Sequence, residues 1–319
     1  MSVSAELSGI TSSAIHQLDP EHLFRGHLLL ASDGSVSADG AVALVTALRR
    51  QGPLKLEVLA VFEPAPMPVP SLDPSLAAMT TMAGDEVLRA EFFSRVDRQL
   101  ERAFTGLPPV PMQHAEGSPV RCIVETAQRS QADLVITGLR VHTLLDRLVG
   151  DETALRVTRG TDRPVFAVAP TLTQPPRRAV VGIDFSRASL RAAHAAAGML
   201  VDGGTLTLLH ARPSLDAATA AADGLDVPYA RGVTAALDGL RTAIISNHPH
   251  ITVEVERRDG DPAESVLNFA VASTADFMAV GRHRRNAISH AILGSVATTL
   301  LRKAQLSVLV LPPMKEDSQ

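Results

Sequence analysis

Short, almost continuous apolar runs alternate with longer stretches whose apolar positions recur every three or four residues, and this order occurs twice along the chain. In the first half the runs are His27–Ala31, Leu56–Phe62, a short one ending near Glu116-Gly117, Asp133–Thr137 and Val165–Ala169. Helices are predicted between them: about Ala38–Arg50, Gly84–Phe104, Pro119–Arg129 and a last one around Leu155–Arg159. In the second of these, Val87, Leu88, Phe92, Val96, Leu100 and Ala103 share a helical spacing. The Pro-rich stretch Glu63–Pro74 predicts irregular chain, because each Pro fixes φ and removes a donor.

The second half predicts strands over Ala179–Ile183, Leu206–His210, Ile251–Arg257, Phe277–Val280 and Ser307–Leu311. Helices are predicted over about Leu190–Leu200, Val233–Ser246, Pro262–Ser273 and Ser295–Lys303. Glycines keep step in both halves. Gly117 and Gly138 are 21 residues apart, as are Gly260 and Gly281; Gly138 and Asp151 are 13 apart, as are Gly281 and Gly294. Strand–helix alternation with strands apolar on both faces predicts an α/β protein of two tandem doubly wound, parallel-sheet domains. The expected boundaries are a tail 1–26, a domain 27–170, a linker 171–177, a domain 178–312 and a tail 313–319.

Composition narrows the function. At 319 residues the chain accommodates two domains, and 45% apolar content supplies a core for each. Aromatics are 3%, with one Tyr and no Trp, so stacking on exposed nucleic-acid bases is disfavoured. A formal charge of −4 exerts no pull toward nucleic acid or anionic membrane. A single cysteine, Cys122, no apolar run of spanning length and a polar, acidic N-terminus lead to the expectation of a cytoplasmic protein.

Candidate chemistry sits just past the strands, where open α/β sheets bind ligands. Gly281, Gly294 and Ser295 frame a turn opening onto a helix, whose unpaired amides and dipole favour anions. Ser295 is a candidate cap, and Arg282, His283, Arg284 and Arg285 bring guanidinium groups near. The alternative is a capped helix with a solvated basic loop. At the matching point of the first half stand Asp151-Glu152, which repel phosphate by about 4 kcal/mol per unit-charge pair at 4 Å and an effective dielectric of 20. Gly150 beside them leaves a one-residue shift open. Asp33 and Asp184 end the first strand of each half, either as ribose acceptors or as turn-stabilising residues, with Ser35 and Ser186 as helix N-caps. His210 is either a site-lining or a satisfied structural histidine. No HExxH, Walker A, GxGxxG or GxSxG pattern occurs.

Asp33-Gly34-Ser35, the Gly117-Ser-Pro and Gly260-Asp-Pro-Ala turns, and Gly281…Gly294-Ser295-Val296 together resemble the universal stress protein family in its tandem two-domain form. The resemblance implies a mostly parallel five-stranded sheet per domain, of the adenine nucleotide alpha-hydrolase-like type. It also implies a Gly-x2-Gly-x9-Gly-Ser/Thr loop for ATP, with or without Mg2+. On that pattern Asp184 lies near the ribose, Ala211 offers its backbone to adenine, and Gly281, Arg284, Gly294, Ser295 and Val296 frame the phosphates. Arg284 departs from the second Gly; if that position needs a left-handed φ, its side chain costs roughly 1–2 kcal/mol. Arg284 then either bonds phosphate or blocks the pocket. Val141, Asp151 and Glu152 depart at every later motif position of the first half. The expectation is a stress-response regulator binding ATP or a related adenine nucleotide at most once per chain, with any hydrolysis slow and incidental. The alternative is a protein-interaction module that has lost nucleotide binding. Family members commonly pair through their last strands; here Val165–Ala169 and Val308–Leu311 can pair within the chain, with a further homodimer open.

Overall fold

The computed structural model describes residues 23–64, 74–140, 153–212, 226–282 and 293–313, with side chains from 85 in the second stretch and from 230 in the fourth. The first half comprises β1 (His27–Ala31), α1 (Val36–Gln51), β2 (Lys55–Phe62), α2 (Pro74–Ala103), β3 (Met112–Glu116), α3 (Pro119–Arg129), β4 (Leu134–Gly138), α4 (Thr153–Gly160) and β5 (Val165–Val168). The second repeats the order as β6 (Arg178–Gly182), α5 (Arg187–Met199), β7 (Thr205–Arg212), α6 (Asp226–Asn247), β8 (Thr252–Asp259), α7 (Pro262–Ala272), β9 (Phe277–Gly281), α8 (Ser295–Lys303) and β10 (Ser307–Leu311).

Each half is a five-stranded parallel sheet, and the two fuse edge to edge into ten strands ordered β3-β2-β1-β4-β5-β10-β9-β6-β7-β8. The seam is the one antiparallel pairing described, with Val308 opposite Ala167, Leu309 opposite Phe166 and Val310 opposite Val165. Joining the last strands inside the chain covers an edge that would otherwise present unpaired N–H and C=O groups. The seam is also side-chain deep. Phe24, Phe166 and Phe277 stack in sequence with centroids 6.1 and 5.4 Å apart, and one apolar cluster runs through both halves on that face. On the opposite face Leu139, Ala154 and Leu155 of the first half share a cluster with Leu300, Leu301 and Ala304 of the second.

Three expectations shift. The helix expected from Gly84 begins ten residues earlier, at Pro74, a residue suited to a first helical turn. Of its predicted apolar face, Val96 and Leu100 are buried, whereas Val87 and Leu88 project into solvent. The residues before β1 are built in: Leu23–Arg25 form a short 3-10 turn whose Leu23 and Phe24 are buried and which packs on α5. That cover explains why α5 is buried almost all round, from Ala188 to Met199. The linker is docked too, with Leu172 in the main core and the Pro176 carbonyl accepting from the Val201 amide. Most of the tail 1–26, most of the Pro-rich stretch after Glu63 and residues 314–319 lie outside the described residues. Among those described, no helix is long and apolar enough to cross a membrane.

Candidate functional site

The C-terminal ends of β6, β7 and β9 lie on the side of the sheet where α5, α7 and α8 start, and Asp184, Ala211, Gly281, Gly294, Ser295 and Val296 stand at these strand ends and helix starts. Asp184 follows β6. Its Oδ1 accepts from the Ser186 amide at 3.0 Å and the Ser186 hydroxyl at 2.6 Å, and the Ser186 hydroxyl in turn accepts from the Ser189 amide at 3.2 Å. Ser186 is thus a true N-cap of α5. Asp33 makes the same turn, its Oδ1 accepting from the Ser35 amide at 2.9 Å, yet Ser35 makes no side-chain cap bond. Turn stabilisation is therefore a role both aspartates fill.

Between these carboxylates and their serines the halves diverge. Gly34 has φ 69°, and Phe185 at the same place has φ 62°, an uncommon conformation for a bulky residue. The Phe185 ring packs against the main core and lies 5.1 Å from the His210 ring. His210 Nδ1 lies 2.8 Å from the Ile183 carbonyl. It is a structurally engaged histidine, and β7 continues past it to Arg212.

That contact has a consequence for Ala211. In a parallel strand, alternate residues direct both backbone polar groups to one side. The Leu209 carbonyl accepts from the Ile183 amide at 2.8 Å, so Leu209 and Ala211 face β6, while the Arg212 carbonyl faces β8 and accepts from Gly260. β6 ends at Gly182 and the Ile183 carbonyl is engaged by His210. The Ala211 N–H and C=O hence look past the end of β6, beside Asp184, with no backbone partner among the described residues. A donor–acceptor pair on an otherwise apolar edge is what one side of a purine ring can read.

Gly281 ends β9. A Cβ there would lie 2.4 Å from the Ser189 amide nitrogen and 2.5 Å from the Ala188 carbonyl carbon, so the start of α5 excludes any side chain. Gly138 meets Ser37 and Ala38 at the start of α1 in the same way. The repeated glycine therefore has a packing reason in both halves, ahead of any ligand. At the other end of the loop Gly294 is itself the N-cap of α8, with φ −57° and no side chain to cap with. Ser295 is the first helical residue, not the cap; Val296 and Ala297 complete a first turn whose amides lack intrahelical acceptors. Ser295 is exposed and Val296 half-buried.

Arg282 does something the sequence did not signal. Its backbone amide donates to the Leu311 carbonyl at 2.7 Å. Its side chain, 6% exposed, crosses the seam: Nη1 donates to the Thr158 carbonyl and, at 3.4 Å, to that of Arg159, and Nη2 lies 3.5 Å from Asp162. The cation sits on the carbonyl end of α4, where the helix dipole and unpaired acceptors favour it. Arg282 is thus engaged with the other half. Arg284, with His283 and Arg285, lies outside the described residues, as do Val141, Gly150, Asp151 and Glu152. Among the described residues no group of three or more His, Cys, Asp or Glu side chains is placed to hold a metal.

Comparison with known proteins places this architecture. The sequence profile of the universal stress protein family matches residues 25–169 and, again, 176–312. No curated protein matches the sequence. Among solved structures, a universal stress protein from Archaeoglobus fulgidus DSM 4304 superposes with a TM-score of 0.62 at 18% identity, covering 93% of this chain and 100% of that one. A functionally unknown protein from Pseudomonas aeruginosa PAO1 gives 0.55 at 16% identity, over 94% and 95% of the two chains. With its profile matched twice and the tandem fold shared, the chain belongs to the universal stress protein family.

Proposed function

We propose that the chain is a cytoplasmic stress-response regulator that binds ATP, or a related adenine nucleotide, at the strand ends of its second half. The reading is carried by the open backbone edge of Ala211 at the end of β7, next to the end of β6 that Asp184 follows, with the end of β9 on the other side of β6. Adenine would take the Ala211 donor and acceptor. The ribose would lie toward Asp184, and the phosphates would meet the first-turn amides that Gly294, Ser295 and Val296 present without a capping side chain. Arg284 would supply a guanidinium to the phosphates, and Mg2+ would be recruited by the nucleotide and not by a protein cage. The role we assign to this arrangement is binding.

Isothermal titration of the purified chain with ATP, ADP and AMP, beside a mass spectrum of small molecules released from freshly purified protein, tests the reading. Saturable heat at one nucleotide per chain is expected. No heat and no thermal shift with any of the three would overturn it in favour of a protein-interaction module.

A further inference from the structure

A buried guanidinium is retained only where its hydrogen bonds are made, because desolvating the charge is costly. Arg282 is the first residue after β9, where the chain sets out toward the α8 N-terminus, and its side chain reaches three groups of the first half. They are the Thr158 and Arg159 carbonyls at the end of α4 and the Asp162 carboxylate just beyond. The counterpart after β4 is Leu139, whose amide donates to the Val168 carbonyl at 2.8 Å as that of Arg282 does to Leu311. Leu139 is fully buried in the apolar cluster shared with Leu300, Leu301 and Ala304 of α8. One fold thus closes the same crossing twice, once by apolar contact and once by a charge. Apolar closure suffices for the seam, so the charge adds something else: a directional tether between a helix end in one half and the root of a loop in the other.

We propose that Arg282 is a positioning residue through which the first half fixes the chain where it leaves β9, coupling α4 to the strand ends of the second half's site. α4 is a rigid element with two ends. Its start follows Asp151-Glu152, the first half's own loop terminus in the sequence, and its carbonyl end holds Arg282. The tether itself rests on geometry alone; only its effect on ligand affinity rests on the nucleotide reading above.

The test uses the full chain and a substitution in the first half. Asp162→Lys lies 120 residues before Arg282 in sequence, on a carboxylate that is 59% exposed, and leaves the loop's own residues untouched. Hydrogen exchange is followed in peptides covering Phe277–Arg282 and Leu293–Leu300, and ATP affinity is followed by calorimetry. Asp162→Lys is expected to speed exchange in both peptides by about threefold or more and to weaken ATP by about three- to tenfold. Arg282→Leu, which copies Leu139, should do the same and render Asp162→Lys silent, whereas Arg282→Lys should restore part of the affinity. Unchanged exchange in the second half on Asp162→Lys, or effects of the two substitutions that simply add, would overturn the tether. If the wild type binds no ATP, the nucleotide reading fails, while the exchange measurement still decides the tether.

Discussion

The two halves share strand order, turn geometry and the Asp-x-Ser motif after the first strand, yet they differ wherever a side chain faces open space or the neighbouring half. Where the chain leaves β4 and β9, Leu139 answers Arg282. Where it leaves β1 and β6, Gly34 answers Phe185 at nearly the same positive φ. At the sheet's outer edges the contrast is larger. The first half closes the space between β2, β3 and α2 with Phe62, Phe92, Phe93 and His114, the Phe93 and His114 rings stacked at 4.1 Å. In the second half Arg212 stands in the place of Phe62, and Arg257 donates to Thr234 across a cavity of about 860 Å³. Duplication preserved what the backbone requires and left the exposed positions free to diverge. Residues common to both halves therefore report on folding, and residues found in one half report on function.

The largest expected effect tests that division directly. Gly294→Asp gives the second half the acidic loop end of the first, and ATP affinity should fall by at least about a hundredfold, roughly 3 kcal/mol. Affinity unchanged in a titration would mean that the phosphates lie elsewhere. Asp151 and Glu152 predict, in the same titration, a stoichiometry of one nucleotide per chain; two would show that the halves are equivalent.

Acid should separate the halves next. His194 of α5 is fully buried, its ring 6.3 Å from that of His248, and burial depresses its pKa from 6.5 to about 4. Neither His194 ring nitrogen has a hydrogen-bond partner among the described residues. At the matching place in α1 stands the non-titrating Ala43. Because the unfolded chain binds the proton more readily, stability is intact above pH 6.5 and falls as pH drops toward 4, by about 3 kcal/mol. Urea unfolding at pH 7, 5.5 and 4 should show this slope, and His194→Leu should flatten it. A slope that survives the substitution must come from other groups.

Smaller effects sharpen the turn comparison. Gly34→Ala would place a Cβ 3.0 Å from the Val96 amide in a conformation L-residues avoid, at a cost of about 1–3 kcal/mol by denaturant unfolding. Phe185 holds nearly the same φ in the second half, and a loss under 0.5 kcal/mol at Gly34 would show that α2 yields to the added Cβ. Smallest, Asp184→Ala should weaken ATP by about three- to tenfold, since one carboxylate supports both the turn and the ribose side. No change in affinity would confine Asp184 to the turn.

Much of this was legible before any coordinates. Pro119 and Pro262 opened their helices as proline at a first turn should, and the strands fell within a few residues of their predicted ends. The early start of α2 was missed because its apolar period begins later than its backbone helix. Residue type alone points to Ser295 as the cap, whereas the cap is Gly294. The sequence shows Gly281 as the root of the phosphate loop, and only the fold shows that the first turn of α5 also demands a glycine there. Arg282 was grouped with its basic neighbours, since nothing local distinguishes a guanidinium aimed at Asp162 from one aimed at phosphate.

Periodicity and glycine spacing by themselves determined two α/β halves, the succession of their strands and helices and the edge on which a ligand would sit, because these follow from local backbone preferences and apolar patterning. Tertiary structure alone decided that the halves share one ten-stranded sheet and that Ala211 keeps an open backbone edge. It alone showed that a charged side chain from one half anchors on the helix end of the other. Such contacts join residues more than a hundred positions apart, and their energy depends on what the fold brings within a few ångströms.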